Sequence, residues 1–187
     1  MERPQLKLDQ EMREIPTDAG HLNRFIEYHR RRLYEVYDPV RFVRSVGKLG
    51  SYLRIANKLD DAEKVLQKAM DLIEDHDLGV TLQVRVKLQI ARVLQWRRDF
   101  KGSSEALSEL LKICERDPKA RGYLDFVWHQ AGKNFYEQER FVDALRAFET
   151  AMNLRRKRQA SPRLLASSRF AIIRTKRRLL LGPATHS

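Results

Sequence analysis

The chain has one cysteine, Cys114, in 187 residues. A lone cysteine excludes an internal disulfide and a cysteine-based zinc site. Glycine and proline are sparse, at 8 and 6, and no long alternating Val/Ile/Thr runs occur, which argues against sheets. No apolar run approaches the roughly 18–20 residues that span a bilayer. The first residues, MERPQLKLDQEMREIPTD, contain no apolar stretch of the secretory kind. The five histidines make no HExxH pair, and neither a glycine-rich phosphate loop nor a nucleophile elbow is present. Cys114 lies in the apolar run Leu110-Leu111-Ile113-Cys114, so it reads as a buried inert thiol. These absences predict a cytoplasmic, non-catalytic protein with no cofactor and no metal site.

Acidic residues are missing from one region. From Arg155 onward there are ten basic residues and no Asp or Glu, so residues 1–154 hold 27 basic against 25 acidic side chains. The net charge of +12 therefore belongs mostly to the C-terminal fifth of the chain.

What is present is helical periodicity. Trp128, Ala131, Gly132 and Phe135 follow i, i+3, i+4, i+7, and after a break at Glu139-Arg140 a second face follows with Phe141, Ala144, Leu145, Phe148 and Ala151. Small residues beside large rings let two helices approach closely. Earlier in the chain, residues 1–17 read as a flexible arm. Thr17 or Asp18 caps a helix from about Ala19 to Tyr37, and Asp38-Pro39 opens the next, which breaks at Asn57-Lys58. Asp60 is the expected cap of the following helix. Asp77, Gly79 and Thr81 mark a further boundary. Asp99 caps another helix, Asp117-Pro118 leads into the Trp128 hairpin, and Ser161-Pro162 opens a last helix that Gly182-Pro183 ends.

These signals repeat. Gly50, Ala91 and Gly132 lie 41 residues apart, as do Ala62, Ser103 and Ala144, Leu66, Leu107 and Phe148, and Leu53, Leu94 and Phe135. A fixed period of 20–50 residues indicates stacked supersecondary units.

The Trp, Ala-Gly, aromatic, Ala…Phe…Ala pattern over 125–158 resembles a tetratricopeptide (TPR) repeat, and the 41-residue period resembles the long-repeat variants of that family, such as kinesin light chain. The usual period is about 34 residues. Seven more residues add roughly two turns, about 10 Å of helix. The expected fold is all-α: a right-handed superhelical array of helical hairpins, a TPR-like solenoid with an N-terminal helix and a C-terminal capping helix. It forms a single domain over 18–181, with repeats at about 38–77, 78–117 and 118–158, a cap over 162–181 and a tail over 182–187.

The resemblance implies a concave groove lined by the first helix of each repeat. It assigns to that groove Arg44, Lys48, Ser51 and Arg54, then Arg85, Gln89, Arg92, Gln95 and Trp96, then His129, Gln130, Lys133 and Tyr136. None is acidic. Arginines there suit carboxylates, and Trp96 and Tyr136 offer rings for stacking. The family's carboxylate-clamp residues do not carry over, because the corresponding positions hold Gly47, Ser51, Gln89, Phe126 and Gln130. The expected function is a protein–protein adaptor or scaffold that takes an acidic or extended segment of another protein. The runner-up is a nucleic-acid-binding protein acting through a basic patch of Arg155, Arg156, Lys157, Arg158, Arg163, Arg174, Arg177 and Arg178, which also suits an anionic membrane. Arg169 and Lys176 fall in the apolar sector of the last helix and must snorkel, pair with an acid or face a partner. Pairing of two chains as a homodimer is the third expectation.

Overall fold

Aspartate caps at three helix starts and left-handed residues at most helix ends mark the helix boundaries of this sequence. The computed structural model describes residues 1–181; Gly182-Pro183 and the expected tail over 182–187 lie outside them. The described residues divide into two compact units, 1–106 and 107 onward. The boundary falls within one helix. Each unit is described by itself.

The first unit opens with a β-hairpin, β1 (Leu6–Leu8) and β2 (Glu14–Pro16), antiparallel with Lys7 opposite Ile15. The arm expected to be flexible is thus folded. Its turn is built by Asp9, whose Oδ1 accepts from the amides of Glu11 at 2.9 Å and Arg13 at 2.8 Å. Helices α1 (Ala19–Arg32), α2 (Pro39–Ile55), α3 (Leu59–Asp75) and α4 (Val80–Trp96) follow, then the start of α5 (Phe100–Arg116). Asp18 caps α1 through the amide of His21, and Asp38 caps α2 through that of Arg41. Asp99 accepts from the amide of Gly102 in the first turn of α5. Asp60 is not a cap, because α3 begins one residue earlier. Asp60 and Asp61 sit in its first turn, where the helix dipole favours negative charge, and they pair with Arg97 and Arg30. In this unit α2 packs on α1, α3 and α4, and α3 packs on α4. The core between them includes Ile26, Val43, Leu49, Leu53, Leu66 and Val86.

The second unit holds the rest of α5, a 3-10 turn (Arg121–Tyr123), α6 (Leu124–Glu137), α7 (Phe141–Lys157) and α8 (Pro162–Leu181). Helix α7 packs on both α6 and α8. Its buried apolar residues include Val127, Ala144, Phe148, Ala151 and Ala171.

The 41-residue period is visible in the backbone. Asn57, Arg98 and Glu139 all take positive φ, at 58°, 64° and 59°. The next amide in each case, of Lys58, Asp99 and Arg140, donates to the carbonyl of Leu53, Leu94 and Phe135. This is the same left-handed helix stop three times. A second stop occurs at Asp77 (φ 45°) and at Gln159 (φ 54°), with Leu78 and Ala160 donating to Ile73 and Arg155. The position between them is Pro118, whose ring fixes φ near −65°. There the chain instead turns through Asp117, which accepts from the amide of Lys119 at 2.8 Å, and α6 starts only at Leu124. Helix α6 accordingly has 14 residues where α2 and α4 have 17. Packing repeats too: a Cβ on Gly50 would lie 2.8 Å from the Leu66 side chain, and one on Gly132 would lie 2.6 Å from Phe148. In both of these hairpins residues 16 apart meet in the same way.

Candidate functional site

Arg54 lies in the last turn of α2 and Arg92 near the end of α4, on two helices that pack against each other. Between them sits a carboxylate. Glu14, the first residue of strand β2, accepts from Arg54 Nη2 at 2.9 Å through Oε2. It accepts from Arg92 Nη2 at 2.9 Å through Oε1 and 3.1 Å through Oε2. Trp96, one turn beyond Arg92, places its ring 4.5 Å from the Arg54 guanidinium carbon and 5.2 Å from that of Arg13 in the hairpin. Arg98 lies 3.9 Å from Glu11 of the same hairpin. Two arginines, an indole and an extended strand bearing a carboxylate therefore form one cluster within the first unit.

Arg54 is 1% exposed. Burial pushes its guanidinium down to about 10, the neighbouring Arg92 charge adds to this, and Glu14 opposes both. It remains protonated at neutral pH and needs a counter-charge. Glu14 bonds only its Nη2; Nε and Nη1 are buried without a hydrogen-bond partner.

The other residues assigned to the groove divide by burial. Arg44, Lys48 and Arg85 are exposed. Ser51 donates to the Gly47 carbonyl at 3.1 Å, and Gln89 is half-buried with its Oε1 unpartnered. Gln95, Gln130 and Tyr136 are buried and line no open surface. Arg54, Gln95 and Tyr136 are successive occupants of one repeat position, four residues after Gly50, Ala91 and Gly132, so they share the inward face of those small residues. In the second unit His129 is half-buried, its ring nitrogens 3.5 Å from Arg155 Nη1 and from Ser167 Oγ. Lys133 is half-buried.

The basic patch loses members to structure. Arg155 is 2% exposed and is an internal residue. Its Nε donates to Asp125 Oδ2 at 2.8 Å, and its Nη1 donates to the Leu164 carbonyl at 3.0 Å and to Ser168 at 2.7 Å. It holds α6, α7 and α8 together. Arg158 also donates to Asp125, at 3.0 Å. Arg178 pairs with Glu139 at 3.3 Å over the Phe141 ring, and Arg174 lies over Phe170. Arg156, Lys157, Arg163 and Arg177 stay exposed. Lys176 pairs with Glu149 at 3.7 Å, and with exposed Arg169 it borders a shallow cleft of about 340 Å³ between α7 and α8.

The sequence reading missed Glu14, Arg13 and Asp125. Glu14 sat in a segment without helical periodicity, and nothing local marks it. Asp125 had a signal: it is the 41-residue successor of Val84, and Arg155 of Cys114, so both charges stand where the residue one period earlier is apolar. A second cleft, of about 730 Å³, lies between α1 and α2 and is bordered by His29, Arg32, Tyr37, Arg41 and Arg44. Burial holds the His29 imidazole below its ordinary value, with Lys48 and Arg32 adding to the effect. Among the described residues, no group of three or more His, Cys, Asp or Glu could hold a metal ion, and no helix is long and apolar enough to cross a membrane. The chain matches no family model, no curated protein and no solved structure.

Proposed function

We propose that this chain is a cytoplasmic, non-catalytic adaptor that binds an acidic, extended segment of another protein on the arginines of its repeat helices. The observation that carries this reading is the seat of Glu14. An extended strand lays its carboxylate on Arg54 and Arg92 beside Trp96. The chemistry expected of a bound partner is thus made by the chain's own first residues. Charge-assisted bonds to two guanidinium groups select a carboxylate over an amide or a cation. The backbone beside it is extended, as in a peptide ligand.

The same reading takes the units as long TPR-like repeats of a right-handed superhelix, with α1 before them and α8 as the cap. Support comes from the threefold helix stop at Asn57, Arg98 and Glu139 and from the matched contacts of Gly50 with Leu66 and Gly132 with Phe148.

The test is fluorescence anisotropy with the full chain and three labelled probes: a glutamate-rich peptide, a lysine-rich peptide of equal length and a single-stranded DNA oligonucleotide. Arg54 is unsuitable for charge reversal because it is buried; Arg85→Glu with Arg92→Glu is the informative variant. Binding of the acidic peptide that falls at least tenfold in this variant supports the adaptor. Preferential DNA binding that survives the variant, is lost in Arg156→Glu with Lys157→Glu and falls steeply with salt would replace it with the nucleic-acid reading.

A further inference from the structure

Glu14 also bears on regulation. It completes the carboxylate site from within the chain, so a partner's acid and the hairpin's acid have the same two arginines to bind. We propose that the N-terminal hairpin is a displaceable occupant of this site: a partner segment carrying Glu or Asp docks on Arg54, Arg92 and Trp96 only as Glu14 leaves. This rests on the adaptor reading above and adds to it a gate.

Two features make the hairpin fit to leave. Its strands have three residues each, and β1 is exposed along its whole length. A hairpin this short is marginal alone and is held by what it rests on. Its inner side rests on the first unit through polar contacts that a competing carboxylate can replace, Glu14 on the two arginines, along with Arg13 over Trp96, Glu11 near Arg98 and buried Met12. Glu14 is an incomplete ligand for Arg54, since Nε and Nη1 are buried without a partner. A guanidinium has five N–H donors and bonds best through a two-point fork. The occupant in place leaves part of that capacity unused, which limits how strongly it holds.

Tethering works in the other direction. A ligand joined to its site by a short chain acts at an effective concentration in the millimolar range. An untethered segment with the same contacts therefore binds weakly while the hairpin is seated. Weakening Glu14 shifts this balance without touching the residues that receive the partner.

The test uses the full chain and a labelled peptide with the sequence of residues 4–17, which carries the Glu14 carboxylate. Glu14→Gln removes the charge and keeps the side-chain shape. The expected result is at least tenfold tighter binding of the peptide to Glu14→Gln than to the unaltered chain, with the gain abolished when Arg92→Glu is added. Helical circular dichroism checks that each variant is folded. Hydrogen exchange supplies a measurement that needs no variant. The amides of Asp9 and Thr17, which donate to Arg13 and Gln5 across the hairpin, lose protection as the peptide saturates the unaltered chain. Equal affinity for both chains, lost with Arg92→Glu, overturns the gate and leaves the adaptor standing. Peptide binding without loss of hairpin protection overturns the gate as well. Binding to neither chain overturns both readings.

Discussion

Asp125 Oδ2 and Arg155 Nε lie 2.8 Å apart with both side chains almost wholly buried, at the repeat positions that Val43 and Ile73 occupy in the first unit's core. Each charge lies 82 residues after its apolar counterpart, two periods of 41. An ion pair thus stands two periods after two apolar residues, and Arg155 Nη1 donates in addition to Leu164 and Ser168 of α8. The arginine that opens the basic tail is thus the residue that seats the last helix.

Removing one member of this pair leaves the other buried and unpaired, which costs about 3–5 kcal/mol. Asp125→Val and Arg155→Ile are each expected to lose stability on this scale in urea unfolding. Together they place apolar residues at both positions, and the double variant should lose less than half of what either single change loses. Additive losses would show that the two residues act independently.

Gly132 faces Phe148 at a distance that no Cβ tolerates, 2.6 Å. Gly132→Ala should cost about 1–3 kcal/mol by overpacking, read as a lowered melting temperature. Gly122→Ala is the control, since nothing lies within 4 Å of the added carbon. Equal effects of the two changes would mean that helix approach does not depend on the small residue.

Gln159 holds φ 54° at the end of α7 and is exposed. A left-handed backbone disfavours residues with a Cβ by roughly 1–2 kcal/mol. Gln159→Gly is expected to stabilise the chain by part of that, since glycine loses more entropy on folding. Gln159→Val, β-branched, should destabilise it. A melting temperature unchanged by both would argue against the helix stop.

Cys114 is buried, and desolvation pushes its thiol up to about 11, with Glu115 adding to the effect. At neutral pH it stays protonated and should react with a thiol reagent only as fast as the fold opens. Between the ordinary thiol value and about 11 the unfolded chain loses a proton that the fold retains. This group therefore lowers stability as pH rises through that window. Cys114→Ala should remove that part of the alkaline slope. Immediate labelling of the native chain would place the thiol at the surface.

Much of the helical plan was legible. Cap residues such as Asp18, Asp38 and Asp99 act within a few residues of themselves, and the 41-residue columns of Gly50 and Leu66 carry contacts made inside one hairpin. Pro118 cannot take the left-handed conformation of Asp77 and Gln159, so that stop is missing and α6 starts late. The hairpin was not legible, because three-residue strands show no periodicity and Glu14 meets Arg92 only through a contact 78 residues away in sequence. Residues assigned by resemblance to an open groove divided according to helix face: those four residues beyond the small column, Arg54, Gln95 and Tyr136, are inside. Charge counting placed Arg155 with its basic neighbours, whereas its repeat position, shared with Ile73 and Cys114, decides its burial.

The contact of Glu14 with Arg92 is tested most directly by a double-mutant cycle in the full chain, with Glu14→Gln, Arg92→Gln and the pair measured by urea unfolding. Both side chains are about a quarter exposed or less, at 27% and 21%. A charge-assisted pair in that setting should couple by about 1–2 kcal/mol. The expected result is that each single change destabilises the chain and the double change is little worse than either. Additive losses, with no coupling, would contradict a carboxylate seated on that arginine.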